Sequence, residues 1–527
     1  MFERVLGELH SNSLPYSPPV YPPAQAWEKL TEEDVIRNAW QNTIRQKGHL
    51  DLYVHIPFCA SRCTFCGLYS KRLKKSEEID AYLTALEKEV KILSSMLAPG
   101  KIDGLRIGGG TPSLLSPKQI KRLYDMIFKN FEFSSDRFSD KPAHGVVFES
   151  HPRFLTPKKL KVLKEEGTHW IAMGVQSLDD DVLAKTNRMQ KAEDVFRAYS
   201  NIREAGIPFI ANDLIYGLEG QTVDSFCHDI EKLIKMKADR VVMYAFSPTR
   251  LTPSSKDNVN ITKKHRETIA RMEEEGFNFL KSHGYIVKDE FHEYWGSTGG
   301  LGDKIYTYTY DEYDNTEKWH SILSLGAGAM SVANANLRYQ NHISVPAYIK
   351  SLEKGLLPIR AGVQLTEKIN MLNHIIMNFI NSSRVLYKQF EIEFGSPIDE
   401  TFKNEMEGLI SQGLVKRKKT GYFIVAEDQQ RIVVGEDRYR IIVEVSRAFF
   451  EPKVVEKLKK FFKIDKKKKT HSVISLKNYD YKKVLIKMIR AKKSGYNNIE
   501  WKDIPSCGLD VSLLKAADKL NLYVKKQ

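Results

Sequence analysis

Hydrophobic positions follow two alternating patterns between residues 51 and 244. Short apolar runs of strand length recur, and between them apolar residues recur at helical spacing. The strand candidates are Leu52–Ile56, Gly104–Gly108, Val146–Glu149, Trp170–Gly174, Ile210–Leu214 and Arg240–Tyr244. Between the first two, an amphipathic helix with Ser76 as its N-cap is predicted from the spacing of Ile79, Leu83, Leu86, Val90 and Leu93. Buried strands that alternate with amphipathic helices predict an α/β fold with a parallel sheet.

Six such strand–helix units fit a partial TIM-like (β/α)6 barrel over residues 50–284. In barrels of this kind, the chemistry lies on the loops at the C-terminal ends of the strands. The flanking regions differ in pattern. They are interpreted as an N-terminal arm (1–49), an accessory region that completes the barrel and the substrate pocket (285–365), a winged-helix-like module (366–440) and a Lys-rich helical extension (441–527).

Length and charge narrow the possible partners. A chain of 527 residues is expected to form two to four domains. The formal net charge of +15 favours anionic partners. Much of this excess of positive charge lies in the C-terminal extension, for example in the run Lys466–Lys469. Because runs of charge are more often solvated surface, nucleic acid is not the favoured partner. Neither a membrane-spanning apolar run nor a signal-like region is present, and we expect a cytoplasmic protein with reduced thiols.

Cys59, Cys63 and Cys66 form a CxxxCxxC motif directly after the first predicted strand. Structural zinc prefers CxxC pairs and four ligands, and His55 is the nearest additional candidate. Three thiolates on one loop can instead hold three irons of a [4Fe–4S] cluster. A cluster that only carries electrons normally has four Cys ligands, so an open iron predicts that a small molecule binds there.

Polar residues stand at the ends of the following predicted strands. Residues 108–111 form a Gly-Gly-Gly-Thr turn after the second strand, and glycines let the backbone approach a ligand closely. Glu149, Gln176 and Asp213 end the third, fourth and fifth strands, and Arg188 follows the fourth. Buried acids and amides are costly without partners or a ligand, so residues on successive units predict one shared pocket.

Six motifs in this order resemble the radical S-adenosylmethionine (SAM) group around oxygen-independent coproporphyrinogen III oxidase. They are YVHIPFCxxxCxFC, GGGTPS, FES, GVQSLDDDVL, NDLIYGLEGQT and LGAGAMS, and the resemblance covers roughly residues 45–440. It implies a [4Fe–4S] cluster on the three thiols, SAM chelated to the open iron, and reductive cleavage to a 5′-deoxyadenosyl radical. The residues it implies for binding this SAM are Tyr53, Phe65, Gly109, Gly110, Thr111, Glu149, Gln176, Arg188 and Asp213. A second SAM would lie near Ile215 and Ala245.

Three branches of this group differ in substrate. The oxidase typically has a fourth cysteine where Leu68 stands, and the heme chaperone has a His-Asn-x-x-Tyr-Trp motif where residues 314–319 read Asp-Asn-Thr-Glu-Lys-Trp. The segment 291–298 resembles a His-Trp-Gly-x-Thr motif of the anaerobic heme-degrading methyltransferases (anaerobilin synthase-like). We therefore expect an anaerobic heme ring-opening methyltransferase that releases iron and a linear tetrapyrrole.

On this hypothesis His292 is the candidate catalytic residue, as an iron ligand or a proton relay, although a hydrogen-bonded histidine beside aromatic residues is an equal alternative. The expected partners are heme or another porphyrin as substrate and a low-potential electron donor such as flavodoxin or ferredoxin. Coproporphyrinogen decarboxylation and heme carriage remain the alternative functions.

Overall fold

The computed structural model of the chain describes residues 21–30, 32–45, 49–136, 138, 145–246, 263–288, 305–309, 320–333, 336–382, 384–425, 445, 448–461, 471–475, 498–502 and 523–525. The chain divides into two compact units. The larger one spans residues 15–450, and the smaller one contains the described residues from 451 onward. In the part of the chain described here, no helix is both long enough and apolar enough to cross a membrane.

One twelve-stranded sheet organises the larger unit. In chain order its strands are β1 (His49–Ile56), β2 (Gly104–Gly109), β3 (Val146–Ser150), β4 (Trp170–Gln176), β5 (Phe209–Tyr216), β6 (Arg240–Ala245), β7 (Ile286–Lys288), β8 (Ile305–Thr309), β9 (His320–Leu325), β10 (Met330–Ala333), β11 (Leu337–Asn341) and β12 (Ile359–Gln364). Their spatial order is β7-β8-β6-β5-β4-β3-β2-β1-β9-β10-β11-β12. The seven strands that are neighbours in the middle of this spatial order run parallel to one another, namely β6, β5, β4, β3, β2, β1 and β9. Antiparallel strands extend both edges.

The α/β fold and the six strands predicted between residues 51 and 244 are confirmed, as β1 to β6. The helices of this region and its flanks are α1 (Glu33–Arg45), α2 (Glu77–Leu97), α3 (Pro117–Asn130), α4 (Pro157–Glu165), α5 (Asp180–Lys185), α6 (Ala192–Glu204), α7 (Val223–Lys235), α8 (Lys263–Ser282) and α9 (Val345–Glu353). In α2, the five apolar residues that predicted the helix are all buried. Ser76 precedes α2 as expected but makes no side-chain capping bond, because its own backbone is already helical.

A buried carboxylate on α2 joins the parallel strands to the strands beyond β9. Glu89 is fully buried, and its Oε2 accepts hydrogen bonds from the Gly326 amide (2.8 Å) and the Tyr348 hydroxyl (2.5 Å). Its Oε1 accepts a bond from Asn341 Nδ2 at 2.6 Å. We call these four residues the Glu89 cluster. One neighbour extends it: the Tyr82 hydroxyl donates to the carbonyl of His55 on β1 at 2.7 Å.

The N-terminal segment lies along the outer strand β12. Glu28 and Gly362 exchange two backbone hydrogen bonds, of 3.0 and 2.8 Å. Beside them, Trp27 packs against Met330 and Ala361. This described part of the N-terminal segment therefore pairs with the last strand of the sheet.

Beyond the sheet, residues 367–424 form four helices and a small antiparallel sheet. The elements are α10 (Glu367–Ser382), β13 (Arg384–Leu386), α11 (Tyr387–Phe394), α12 (Ile398–Thr401), α13 (Lys403–Ser411), β14 (Val415–Lys418) and β15 (Gly421–Ile424). The hairpin β14–β15 pairs with β13 through β15. These elements lie within residues 366–440, for which the winged-helix-like module stays a prediction.

The smaller unit corrects one expectation. The extension was expected to be helical, but its described part has one helix, α14 (Pro452–Phe461), and three strands, β16 (His471–Ser475), β17 (Asn498–Lys502) and β18 (Tyr523–Lys525). These strands form a parallel sheet in chain order. Strands of three to five residues give too short an alternating pattern to stand out among long Lys-rich segments of high helix propensity.

Candidate functional site

The three clustered cysteines lie on a loop that leaves the C-terminal end of β1. We call residues 59–71 the cysteine loop. Its two ends are paired, because the short strand Phe58–Cys59 runs parallel to Lys71–Arg72. Within it, the Cys66 amide donates to the Cys63 carbonyl at 3.3 Å. All three thiols are free and partly accessible, so each is available to a ligand.

Protein donors approach two of the thiol sulfurs. Thr111 Oγ1 donates to Cys59 Sγ at 3.4 Å, and Arg188 Nη1 approaches Cys63 Sγ at 3.8 Å. Burial raises the pKa of Cys59, and it raises the pKa of Cys66 to about 11. Thiolates at these positions therefore need a positive partner, which bound iron provides. Among the described residues, no three His, Cys, Asp or Glu side chains are grouped so that they could hold one metal ion.

The segment after α5 clamps the cysteine loop. The Thr64 amide donates to the Thr186 carbonyl at 3.0 Å, and Asn187 Nδ2 donates to the Arg62 carbonyl at 2.9 Å. Arg188, next in sequence, approaches the sulfur of Cys63. The predicted SAM-binding arginine and the predicted cluster loop thus form one connected structure, although about 125 residues separate them in sequence.

The glycine turn after β2 brings backbone close to both the thiols and Glu149. A Cβ on Gly110 would lie 2.6 Å from the Phe58 carbonyl oxygen and 3.0 Å from Cys59 Sγ. A Cβ on Gly108 would lie 2.5 Å from the Glu149 carboxyl group. Gly109 has a φ of +110°, and its amide donates to Glu149 Oε2 at 3.1 Å. The turn is therefore shaped by close approach, as the three glycines predict.

Charged side chains fill the interior of the barrel beneath this turn. Arg106 Nε donates to Glu149 Oε1 at 2.7 Å. Burial raises the pKa of Asp213 to about 6, an effect that nearby Arg106 opposes and Glu149 reinforces. Burial also raises the pKa of the Tyr244 hydroxyl, with Asp213 adding to the effect. We call Arg106, Glu149, Gln176 and Asp213 the strand-end group, although Arg106 lies in the middle of β2. Asp213 was predicted to end its strand, but β5 continues to Tyr216.

Gln176 ends β4 in a conformation that side chains rarely adopt. Its φ is +67°, and the register to β5 shifts there, so that Gly174 faces Asp213 while Gln176 faces Leu214. Its side-chain oxygen is buried without a hydrogen-bond partner, and the same holds for His55 Nε2. Buried polar atoms without protein partners in a strained segment are typical of ligand sites.

The remaining predicted residues lie around the same edge. Tyr53 is buried on β1, and its hydroxyl is hydrogen-bonded to His55 Nδ1 at 3.0 Å. Phe65 packs in a cluster that includes Ile215. Ala245 ends β6, one residue beyond the pair that Tyr244 and Ile215 form across the two strands.

The structure therefore gathers the predicted cluster and SAM residues at one edge of the sheet. The exception is His292, which lies outside the described residues together with the segments 291–298 and 314–319.

Sequence reasoning missed Arg106, which pairs with Glu149 inside the barrel. A signal was present, because Arg106 is the single charged residue in the strand Gly104–Gly109, where its neighbours Leu105 and Ile107 are buried. A charge in the middle of a buried parallel strand needs a partner. Tyr244 was also missed, since an aromatic residue at a strand end is usually core.

The chain is similar to several known proteins. Residues 53–233 match the family model described as the radical SAM superfamily. The chain is 28% identical over 374 residues to the heme chaperone HemW of Bacillus subtilis, a match that covers 71% of this chain and 94% of that protein. It is also 28% identical over 394 residues to the oxygen-independent coproporphyrinogen III oxidase of Escherichia coli, covering 72% of this chain and 82% of the relative.

Among solved structures, the chain is similar to coproporphyrinogen III oxidase (HemN) from Escherichia coli. The TM-score is 0.65 at 23% sequence identity, and the match covers 82% of this chain and 96% of that one. This likeness supports the fold described above.

Proposed function

We propose that this chain is a radical SAM enzyme that acts on a tetrapyrrole, because residues 53–233 match the family model of the radical SAM superfamily. The observation that carries the enzymatic part is the convergence of three free thiols, the glycine turn and the strand-end group at one edge of the sheet. The tetrapyrrole comes from the relatives, since both names concern heme or its porphyrin precursors.

A radical SAM domain takes a [4Fe–4S] cluster and SAM as its cofactors, and when bound they supply radical hydrogen abstraction. Cys59, Cys63 and Cys66 would hold three irons. Thr111 and Arg188, which donate toward the sulfurs, would offset the negative charge of the thiolates. The site fits this pair of cofactors, because three free thiols share one loop and two buried polar atoms nearby, Gln176 Oε1 and His55 Nε2, have no protein partner.

The strand-end group would hold the polar end of SAM. Glu149 would accept a ligand ammonium beside the Gly109 amide, and the unpartnered oxygen of Gln176 would accept a further hydrogen bond. Asp213 would do the same from β5, because a cationic ligand favours its ionised form. Enclosure by seven parallel strands would keep water away from reactive species.

Two reactions on the tetrapyrrole remain candidates. Oxidative decarboxylation of coproporphyrinogen III is supported by the oxidase relatives. Heme ring opening with methyl transfer is supported by Leu68, which stands where the oxidase pattern has a further cysteine, and by the motif around His292. Heme carriage is the alternative that the Bacillus relative supports.

Product mass separates these reactions. Reconstituted protein would be incubated anaerobically with SAM, a low-potential reductant and either coproporphyrinogen III or heme. Decarboxylation predicts loss of CO₂ from two propionates with an intact macrocycle. Ring opening predicts a bleached Soret band and a methylated linear product, and carriage predicts stoichiometric heme binding without SAM cleavage. If the protein neither cleaves SAM nor binds either tetrapyrrole, the proposal is wrong.

We also propose an acidic, low-potential electron donor such as flavodoxin or ferredoxin, acting in the cytoplasm. Exposed basic side chains border the cysteine loop, namely Arg62, Arg72, Lys74 and Lys75. A basic rim steers an acidic protein toward the cluster and makes association dependent on ionic strength. Reduction of the cluster by flavodoxin should therefore slow as salt is raised, whereas reduction by dithionite should be much less affected.

A further inference from the structure

We propose that Arg106 binds a ligand carboxylate inside the barrel, through the two terminal nitrogens of its guanidinium group. This inference rests on the proposed function, because it concerns the SAM or the tetrapyrrole that this function requires. Arg106 would set which carboxylate-bearing ligand is accepted and in which orientation.

The position of Arg106 directs its side chain into the barrel. It lies in the middle of β2, in register with Tyr53 on β1 and Val147 on β3. Its neighbours Leu105 and Ile107 point to the opposite face, where they belong to the main hydrophobic core. Because strands flank Arg106 on both sides, the 31% of its side chain that is accessible faces the interior of the barrel.

The guanidinium has spare hydrogen-bonding capacity. An arginine carries five N–H donors, and the Nε donor of Arg106 goes to Glu149. No other hydrogen bond of its guanidinium is present within the described residues, and neither terminal nitrogen is among the fully buried atoms that lack a partner. Arg188 differs, because all three of its nitrogens have contacts, with Gln190, Cys63 and the Gly174 carbonyl.

The electrostatic setting suits an anion at Arg106 and a cation nearby. Burial is the largest single influence on the pKa of Arg106 and lowers it, but Glu149, with Tyr244 and Asp213, raises it above its usual value. Arg106 therefore stays charged. A ligand carboxylate would take the two terminal nitrogens side by side, in the bidentate geometry that makes such pairs strong. The carboxylates of Glu149 and Asp213 remain available to a ligand cation.

Two ligands of this enzyme offer a carboxylate. One is the methionine end of SAM, which also carries an ammonium group, and the other is a propionate of the tetrapyrrole. Affinities measured under anaerobic conditions with reconstituted protein distinguish them. SAM is compared with decarboxylated SAM, which keeps the ammonium and the sulfonium, and coproporphyrin III is compared with its tetramethyl ester.

The variants are Arg106→Gln and Arg106→Lys, with Arg203→Gln as the matched control. Arg203 on α6 pairs with Asp239 at 2.8 Å and lies away from the site, so it tests the general cost of removing a paired arginine. We expect Arg106→Gln to weaken one carboxylate-bearing ligand by roughly 10- to 100-fold, the loss typical of a charged hydrogen bond. The matching ligand without the carboxylate should bind equally to wild type and variant. Arg106→Lys keeps the positive charge but lacks the two parallel N–H donors of the guanidinium, so it should lose less ligand affinity than Arg106→Gln.

A loss of affinity confined to SAM would identify the methionine carboxylate as the group that Arg106 binds. A loss of affinity confined to coproporphyrin III would identify a propionate instead. Equal losses with and without the carboxylate would overturn the inference, because Arg106 would then act only by holding Glu149. Unchanged affinities would also overturn it. The binding assays need no turnover, so an inactive wild-type protein that still binds SAM would count against the proposed function and not against Arg106.

Discussion

The Glu89 cluster and the strand-end group both enclose charged side chains beside the parallel strands, but they satisfy those charges differently. Both oxygens of the Glu89 carboxylate accept hydrogen bonds from the protein, from Gly326, Tyr348 and Asn341. In the strand-end group, the side-chain oxygen of Gln176 has no partner and the terminal nitrogens of Arg106 have spare donors. A buried carboxylate whose bonds are filled by protein fixes the structure, whereas open polar atoms leave room for a ligand.

This contrast teaches that burial of a charge does not by itself mark a functional site. Burial raises the pKa of both acids, of Glu89 to about 7 and of Asp213 to about 6. The two acids differ in their neighbours, because both oxygens of Glu89 accept hydrogen bonds from the protein, whereas some of the polar atoms around Asp213 are left open. Substitutions in the Glu89 cluster are therefore expected to change the stability of the fold. Substitutions in the strand-end group are expected to change ligand binding and catalysis.

The largest expected effect is the loss of SAM cleavage when the cysteine loop, next to the strand-end group, is changed. Cys59→Ala removes one of the three proposed cluster ligands, so SAM cleavage should be abolished and iron content should fall. Cys227→Ala removes a thiol on α7, outside the cysteine loop, and is the matched control. It should keep the SAM cleavage and the iron content of the wild type. Iron assays and 5′-deoxyadenosine formation measure the outcome. Intact SAM cleavage in the Cys59 variant would rule out the cluster assignment.

The next largest effect is expected in the Glu89 cluster. Glu89→Leu leaves the Gly326 amide and two side-chain donors buried without an acceptor, so it should lower the free energy of unfolding by about 3 kcal/mol or more. Urea unfolding provides the measurement. Glu89→Gln, which keeps the shape and one accepting oxygen, should cost less and remain folded. A midpoint of Glu89→Leu equal to wild type would contradict a structural role.

The pH dependence of stability sharpens the same contrast. Burial raises the folded pKa of Glu89 to about 7, from an ordinary value of 4.5. The folded state thus holds a proton that the unfolded chain has already released, and this stabilisation is lost as pH rises through 7. Relative to Glu89→Gln, wild type should lose about 1 kcal/mol between pH 6 and pH 8. No change in this difference between pH 6 and pH 8 would instead show that Glu89 is already ionised in the folded protein at pH 6.

The smallest effect on stability is expected at Gln176. Gln176→Gly relieves the left-handed backbone but adds flexibility to the unfolded chain, so the free energy of unfolding should rise by only about 0.5 kcal/mol. SAM affinity should nevertheless fall by roughly tenfold, because the amide is lost. Calorimetry with SAM tests the binding. Stability that drops by more than about 1 kcal/mol would instead make Gln176 a structural residue.

The sequence predicts the parts of this molecule that local patterns encode. The strands β1 to β6 are predicted within a few residues, because buried parallel strands are continuous apolar runs between amphipathic helices. The convergence of Glu149, Gln176 and Asp213 is predictable for a related reason. The C-terminal ends of neighbouring parallel strands share one edge of the sheet, so polar residues there must lie close together.

Long-range pairs could not be predicted in this way. Glu89 lies in an amphipathic helix like any other acid, and its partners are at least 237 residues away in sequence. The Arg106–Glu149 pair joins two strands 43 residues apart, and neither residue alone indicates the other. The strands of the smaller unit were missed because each is short and Lys-rich sequence surrounds them.

The pairing of Glu28 with Gly362 has a consequence for solubility. A sheet whose strand order is linear ends in two edge strands, and an uncovered edge offers free backbone groups to another copy of the same protein. The N-terminal segment occupies those groups at Gly362 and covers the neighbouring apolar surface with Trp27. A chain shortened past residue 30 would therefore expose a template for edge-to-edge aggregation, even though every residue of the cysteine loop would still be present.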